Sequence, residues 1–188
     1  MYNGYMDYFI LGINLLFFLI VLTLVCYLIY VFRSFRQIVP YVPTPYSIIK
    51  RMINLADLQP NDKVVDLGSG SGRLVYRIAK RHQGEVWGIE KSRLLLLVAR
   101  LRQPFNRKKG QIFWQQADIF TYDLSHFDKV FCFLTSRGMK NLEENFQKMK
   151  IGSKIISYTF PLISKENFSQ ERRQFGQKDK IFVYTKMS

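Results

Sequence analysis

Residues 9–32 form an uninterrupted apolar run, FILGINLLFFLIVLTLVCYLIYVF, without a single charged side chain. About 20 apolar residues in a helix cross a bilayer core, so this segment is long enough to span one with some tilt. A buried core helix and a cleaved signal peptide are the alternatives. A signal peptide has a basic start and a small-residue cleavage site, and the flanking residues show neither. We therefore expect an uncleaved transmembrane helix over residues 9–32.

The distribution of basic residues predicts how this helix is oriented. No Lys or Arg precedes it, whereas Arg33 and Arg36 follow it at once. Positive charge stays on the cytoplasmic side of a membrane. We expect the N-terminus outside and the remaining chain in the cytoplasm, at a bacterial inner membrane in a prokaryote. A mitochondrial membrane is the expectation in a eukaryote.

The chain after the apolar run is strongly basic. It contains all 28 Lys and Arg and 13 of the 14 Asp and Glu, which gives a formal charge of +15. Lipid headgroups, nucleic acid and an acidic protein are all possible partners of such a surface. Each basic residue near an anionic membrane contributes about 1 kcal/mol to binding. Because the domain is tethered to a membrane, we expect membrane lipid as its partner in preference to nucleic acid. The alternative is a solvated basic surface that binds no partner.

Composition divides the chain into four parts. A short tail (1–8) precedes the apolar helix (9–32), a linker with three prolines follows (33–47), and the remainder (48–188) has the composition of a globular domain. The two cysteines and two histidines show no metal-ligand spacing, so we expect no metal site.

Strands and helices alternate along the globular part, which predicts a doubly wound, mostly parallel α/β sheet. No helix separates the last two strands, so they are expected to form a closing antiparallel hairpin. The predicted strands are 64–67, 85–90, 111–115, 129–134, 154–160, 172–175 and 180–186, and the predicted helices are 45–55, 73–81, 92–102 and 139–149.

A glycine-rich loop, Asp-Leu-Gly-Ser-Gly-Ser-Gly-Arg from Asp66 to Arg73, connects the first strand to the next helix. Loops at this position bind nucleotides through outward-pointing backbone N–H groups. No Lys-Ser/Thr pair completes a phosphate-binding P-loop, and the third glycine, Gly72, comes one position too early for a dinucleotide fingerprint. The pattern Asp-x-Gly-x-Gly-x-Gly resembles motif I of the seven-strand S-adenosylmethionine-dependent methyltransferases.

Acidic residues follow the next two strands. Glu90 ends the second strand, 24 residues after Asp66, where a carboxylate can hold both ribose hydroxyls. Asp118 and Ile119 follow the third strand, where the resembled fold keeps an acidic residue for the adenine amino group. The alternatives are a solvated Glu90 and an Asp-Ile pair with no ligand.

The segment PYVPTPYSIIKRM, about 20 residues before the loop, together with the later GIE and VARLR, is similar to one smaller family. That family comprises membrane-anchored protein-lysine methyltransferases, including the mitochondrial enzymes acting on the ATP synthase c subunit and on the adenine nucleotide translocase. The resemblance implies a seven-stranded Rossmann-like methyltransferase sheet, and it implies that Tyr41, Pro43 and Thr44 close over the methionine end of the cofactor. A stiff linker is the alternative reading of this segment. The expected cofactor-binding residues are Tyr41, Thr44, Asp66, Gly68, Ser69, Gly70, Gly72, Glu90, Lys91, Asp118 and Ile119.

Two departures from that family concern the substrate. Ser71 stands where the family often has an acidic residue, and Phe133-Leu134-Thr135-Ser136 replaces its Val-Pro pair. The expected function is methylation of a lysine in a membrane-associated protein. RNA or a lipid or quinone head group are the alternative acceptors, and a non-catalytic membrane-anchored module is a third reading.

Methyl transfer from a sulfonium mainly requires alignment and exclusion of water. A lysine acceptor, with an ordinary pKa near 10.4, must lose a proton before it attacks. The candidates for taking that proton are Asp118, Tyr41 and Tyr158, and the sequence does not distinguish among them.

Overall fold

The computed structural model describes residues 3–35, 42–105, 109–175 and 179–188, with side chains from residue 6 to 29 in the first helix. Contacts divide the chain into two units, Met1–Pro40 and Tyr41–Ser188. Tyr41 lies outside the described residues, so its predicted role is not addressed by the structure.

The first unit contains a single long helix, α1 (Asn3–Phe35). Within it, Met6–Ile29 is long and apolar enough to cross a membrane, and none of that stretch is buried. Its 24 residues extend about 36 Å, more than the ~30 Å of a hydrocarbon core. The Thr23 hydroxyl donates to the carbonyls of Leu19 (2.9 Å) and Ile20 (2.8 Å), so its polar group is satisfied within the helix. The candidate span is defined by its length and apolar composition, and a signal sequence can share both properties.

The second unit is a seven-stranded sheet with strand order β3-β2-β1-β4-β5-β7-β6. Strands β1 to β5 are parallel, and β7 runs antiparallel to both β5 and β6. The strands are β1 (Val64–Leu67), β2 (Glu85–Glu90), β3 (Gln111–Gln116), β4 (Lys129–Cys132), β5 (Lys154–Tyr158), β6 (Phe168–Phe175) and β7 (Asp179–Lys186). The predicted α/β sheet and its closing hairpin are confirmed.

The helices are α2 (Tyr46–Ala56), α3 (Arg73–Ala79), α4 (Arg93–Arg102), α5 (Ser136–Asn141) and α6 (Glu143–Gln147), and a 3-10 turn (Gln103–Phe105) follows α4. The apolar stripes of α2 and α3 are buried in one core cluster against the sheet. Burial of such stripes, at about 25 cal/mol per Å² of apolar surface, is the main contribution to this packing.

The helix predicted over 139–149 is wrong in its bounds. The structure has two short helices that meet at Leu142, and the first begins at Ser136. The Thr135 hydroxyl accepts a hydrogen bond from the Gly138 N–H (3.1 Å) and caps that earlier start. The strands predicted over 129–134 and 154–160 end two residues early, at Cys132 and Tyr158. After Tyr158 the backbone leaves the extended conformation, since Thr159 has a φ of +74°.

Candidate active site

The carboxyl ends of β1, β2 and β3 bring together the predicted cofactor residues from Asp66 onward, whereas Thr44 lies in the segment before α2. The loop after β1 places Gly68, Gly70 and Gly72 at φ of +73°, +54° and +81°. Only glycine adopts such angles at little cost, which explains its spacing at every second position. The N–H groups of Gly68 and Ser69 donate to the Ile89 carbonyl of β2, at 2.9 and 3.0 Å. The loop is therefore fixed to the neighbouring strand.

Glu90 fastens the same loop from the end of β2. Its Oε2 accepts from the Gly70 N–H and its Oε1 accepts from the Ser92 N–H, both at 2.8 Å. A carboxylate has about four acceptor sites over its two oxygens. Each oxygen of Glu90 thus keeps acceptor capacity for a further donor, which is what two ribose hydroxyls require.

Asp66 is buried beneath this loop, opposite Gly88 of β2. Burial, foremost, and the nearby Glu90 carboxylate together raise the pKa of the Asp66 carboxyl to about 7. Two carboxyl groups at a loop rich in N–H donors give the site an acidic interior. Ser69 adds a second polar group, since its Oγ is fully buried and has no hydrogen-bond partner within the described residues.

Asp118 lies after β3 and pairs with Lys91 after β2. The Lys91 Nζ is 2.8 Å from Asp118 Oδ2, and the Phe120 N–H donates to Oδ1 at 3.1 Å. The hydrogen bond from Lys91, foremost, lowers the pKa of Asp118. A carboxylate held in this way is a weak base. The adjacent Ile119 is buried.

Residues that the sequence did not single out support the loop. Trp114 of β3 packs beneath it, with its Nε1 donating to Gln103 Oε1 at 2.6 Å. Its ring occupies the space where side chains on Gly72 and Gly88 would lie. Arg102 donates to the Ser71 Oγ at 3.3 Å, at the position where the resembled family is often acidic. These contacts join residues distant in sequence, so no local pattern could have predicted them.

Thr44 belongs to the short segment that precedes α2, and it is partly exposed. Two residues later, the Tyr46 ring lies under the guanidinium groups of Arg73 (4.1 Å) and Arg77 (4.7 Å). Cation–π contacts of this kind stabilise by roughly 0.5–1 kcal/mol when exposed. They hold the start of α2 against the start of α3, where the glycine loop ends.

Tyr158, at the end of β5, lies in a separate cluster. Its hydroxyl donates to Asp179 Oδ1 at 2.7 Å, and its ring lies 4.7 Å from that of Phe133, just beyond β4. Burial raises the pKa of Tyr158, and so does the hydrogen bond to Asp179. The phenol therefore keeps its proton at neutral pH. Beside it, the loop after β5 and the β6–β7 hairpin line a groove of about 480 Å³ that includes Lys165, Arg172 and Lys180.

The raised pKa of Asp66 predicts a pH-dependent stability. The carboxyl binds its proton more tightly in the folded chain than in the unfolded chain, whose pKa is near 3.8. The free energy of unfolding should therefore fall as the pH rises from about 4 to about 7. Asp66→Asn should flatten this dependence and raise the melting temperature near neutral pH, as measured by thermal unfolding across that range. An unchanged pH profile in the variant would show that Asp66 titrates normally.

The residues present fit S-adenosylmethionine. Glycines at positive φ, acceptor capacity left on Glu90 and an orphaned buried hydroxyl on Ser69 suit a ligand with ribose hydroxyls and an amino acid end. No group of three His, Cys, Asp or Glu side chains in the described ranges could hold a metal ion.

Comparison with known proteins places this site in a family. The model of the ANTKMT methyltransferase domain matches residues 66–168, more than half of the chain. A protein-lysine N-methyltransferase of Saccharolobus islandicus is 29% identical over 131 residues, which cover 69% of this chain and 81% of that protein. The adenine nucleotide translocase lysine N-methyltransferase of Mus musculus is 28% identical over 128 residues, covering 68% of this chain and 56% of the mouse protein.

A solved structure is similar over almost its whole length. The RNA methyltransferase of Salinibacter ruber in complex with S-adenosyl-L-homocysteine superposes with a TM-score of 0.70 at 27% identity. The match covers 78% of this chain and 95% of that one. The resemblance expected from the loop and the upstream segment is confirmed, as is the cofactor. The chain belongs to the ANTKMT methyltransferase domain family and is an S-adenosylmethionine-dependent methyltransferase.

Proposed function

We propose that this chain is a membrane-tethered protein-lysine N-methyltransferase, with residues 9–32 as its anchor and 48–188 as its catalytic domain. The observation that carries the proposal is the family match over residues 66–168, since both curated relatives are named lysine N-methyltransferases. The apolar stretch Met6–Ile29 supports the anchor. The basic residues that follow it support an orientation with the N-terminus outside and the catalytic domain in the cytoplasm, or an attachment to a mitochondrial membrane in a eukaryote.

The proposed cofactor site uses the residues at the loop edge of the sheet. Glu90 accepts from the two ribose hydroxyls with the acceptor sites that Gly70 and Ser92 leave open. Asp118 and Ile119 border the adenine, with Lys91 holding Asp118 in place. Gly68, Ser69, Gly70 and Gly72 face the amino acid end beside Asp66. The family resemblance assigns Thr44 and Tyr41 the role of covering that end.

When bound, S-adenosylmethionine supplies an electrophilic methyl group on a sulfonium. The chain has to present a neutral amine in line with that methyl and exclude water. The acceptor ammonium would release its proton to water before the transfer, and the carbon–sulfur bond of the cofactor would be exchanged for the new carbon–nitrogen bond. The rings of Phe133 and Tyr158, whose centroids lie 4.7 Å apart in a tilted arrangement, provide an apolar wall. Desolvation favours the uncharged amine by lowering its pKa.

We assign Tyr158 the role of orienting the amine. Its proton points at Asp179, and beside the hydrogen bond from Thr159 its oxygen keeps a lone pair that can accept from the acceptor nitrogen. Tyr158→Phe should lower kcat by about 100-fold and leave the cofactor Kd unchanged. Initial rates with radiolabelled cofactor on a membrane fraction would measure this. The matched control is Tyr122→Phe, because the Tyr122 hydroxyl donates its hydrogen bond to Gln115. Full activity in Tyr158→Phe would show that Tyr158 does not orient the acceptor amine.

The acceptor itself is identified by mass spectrometry of membrane proteins from cells with and without the gene. We expect one or more lysines whose methylation disappears with the gene. RNA is the second candidate, because of the Salinibacter ruber structure and the +15 charge after residue 32. Ribonuclease-sensitive incorporation of label would favour RNA and contradict the lysine assignment. Cofactor binding without turnover on any extract would instead indicate the non-catalytic module.

A further inference from the structure

Helix α4 exposes an apolar stripe on its outer surface. Leu94, Leu97, Leu101 and Phe105, three or four residues apart along the helix and the turn after it, are 71%, 52%, 63% and 88% exposed. Residues at this spacing share one helical face. The inner face is also apolar, with Leu96 and Ala99 buried against the sheet. The helix is therefore apolar on two sides, and only the inner side has a partner in the described structure.

The other helices of this unit differ from α4. On α3 the outward positions are basic, and no large apolar side chain is exposed. On α2 the one exposed large apolar side chain is that of Tyr46. Single exposed apolar residues are normal, whereas contiguous ones mark interaction surfaces. The exposed apolar stripe is thus specific to α4, whereas α2 and α3 do not expose such a stripe.

Charge indicates what covers the stripe. Residues 91–117 contain seven basic residues and no acidic residue. Arg93 and Arg100 are exposed on α4 beside the stripe. Leucine and phenylalanine bordered by arginine are typical of a helix that lies in the interface of an anionic bilayer. An acidic protein would match the charge as well, but the apolar stretch of α1 brings this chain to lipid.

We propose that the apolar stripe of α4 docks the methyltransferase unit onto an anionic membrane surface. Leu94, Leu97, Leu101 and Phe105 enter the boundary between headgroups and acyl chains, and Arg93 and Arg100 contact the lipid phosphates. Burial of apolar side chains and attraction of basic residues to anionic lipid both favour such binding. The inference rests on the membrane attachment in the proposed function and does not depend on the identity of the methyl acceptor.

The test uses the full chain in vesicles of phosphatidylcholine with or without phosphatidylglycerol. An environment-sensitive dye is attached at Leu97→Cys in a Cys26→Ser background. Cys132 stays unlabelled, because it is buried and burial raises the pKa of its thiol to about 12. The control dye is at Gln170→Cys, on β6 at the opposite edge of the sheet. Lipids brominated on their acyl chains quench a dye that enters the bilayer.

We expect quenching at position 97 to exceed that at 170 several-fold in anionic vesicles, with a smaller difference in neutral ones. Leu94→Ser with Leu101→Ser should reduce quenching at 97 to the level at 170, while flotation with vesicles and activity in detergent persist. Equal quenching at 97 and 170 in a chain that floats would overturn the docking of α4 and leave the anchor intact. A chain that fails to float would overturn both.

Discussion

Replacement of Glu90 by alanine is expected to weaken S-adenosylmethionine binding by about 100-fold or more. Glu90 accepts from the backbone of Gly70 and of Ser92, so the change removes two charge-assisted hydrogen bonds that hold the loop. It also removes the proposed ribose acceptors. Hydrogen bonds to a charged group contribute roughly 1.5–3 kcal/mol each, and 1.4 kcal/mol corresponds to a factor of ten. Isothermal titration calorimetry of the full chain in detergent measures the loss directly.

Glu85→Ala is the matched control for this change. Glu85 begins the same strand that Glu90 ends, and it bonds Trp87 and lies 3.6 Å from Lys63, away from the loop. Its removal should leave the cofactor Kd within about twofold, as expected for an exposed ion pair of at most about 1 kcal/mol. Thermal unfolding of both variants separates lost affinity from lost folding. Equal affinities for Glu90→Ala and Glu85→Ala would remove Glu90 from the cofactor site.

The parts of the fold that sequence predicted are those encoded by local spacing. Strand–helix alternation predicts the parallel sheet, and serine is a preferred helix cap, the role that Ser92 has at the start of α4, where its Oγ accepts from the Leu95 N–H at 3.4 Å. The absence of a helix between the last strands predicted their antiparallel pairing. In each case residues close in sequence determine the element, so periodicity and capping rules are enough to predict it.

Only part of the candidate site could be predicted from local sequence patterns. The loop and Glu90 follow from motif spacing, but the pairing of Tyr158 with Asp179 joins residues 21 positions apart. The sequence around Trp114 indicates only a strand. The position of its ring beneath the loop depends on the register of β2 with β3. Strand register and helix packing create these contacts, and neither can be read from one segment.

Gly72→Ala is expected to destabilise the fold because of Trp114. A Cβ at Gly72 would lie 2.4 Å from Cη2 of the Trp114 ring, and the backbone there has φ of +81°. The left-handed conformation costs an alanine about 1–2 kcal/mol, and overpacking adds about 1–3 kcal/mol. The ring is packed against Tyr76 at 5.5 Å and bonded to Gln103, so it cannot move aside freely. Thermal unfolding of the full chain should show a melting temperature lower by about 4–20 °C, with reduced cofactor affinity.

Gly152→Ala separates the two causes. Gly152 has nearly the same φ, +82°, but nothing lies within 4 Å of its added Cβ. This variant reports the backbone cost alone, and the difference between the variants reports the steric conflict with Trp114. Combining Gly72→Ala with Trp114→Leu should then recover part of the loss, because the smaller side chain leaves room for the methyl group. If Gly72→Ala and Gly152→Ala unfold at the same temperature, the indole does not support the loop, and the glycine spacing of motif I serves backbone conformation alone.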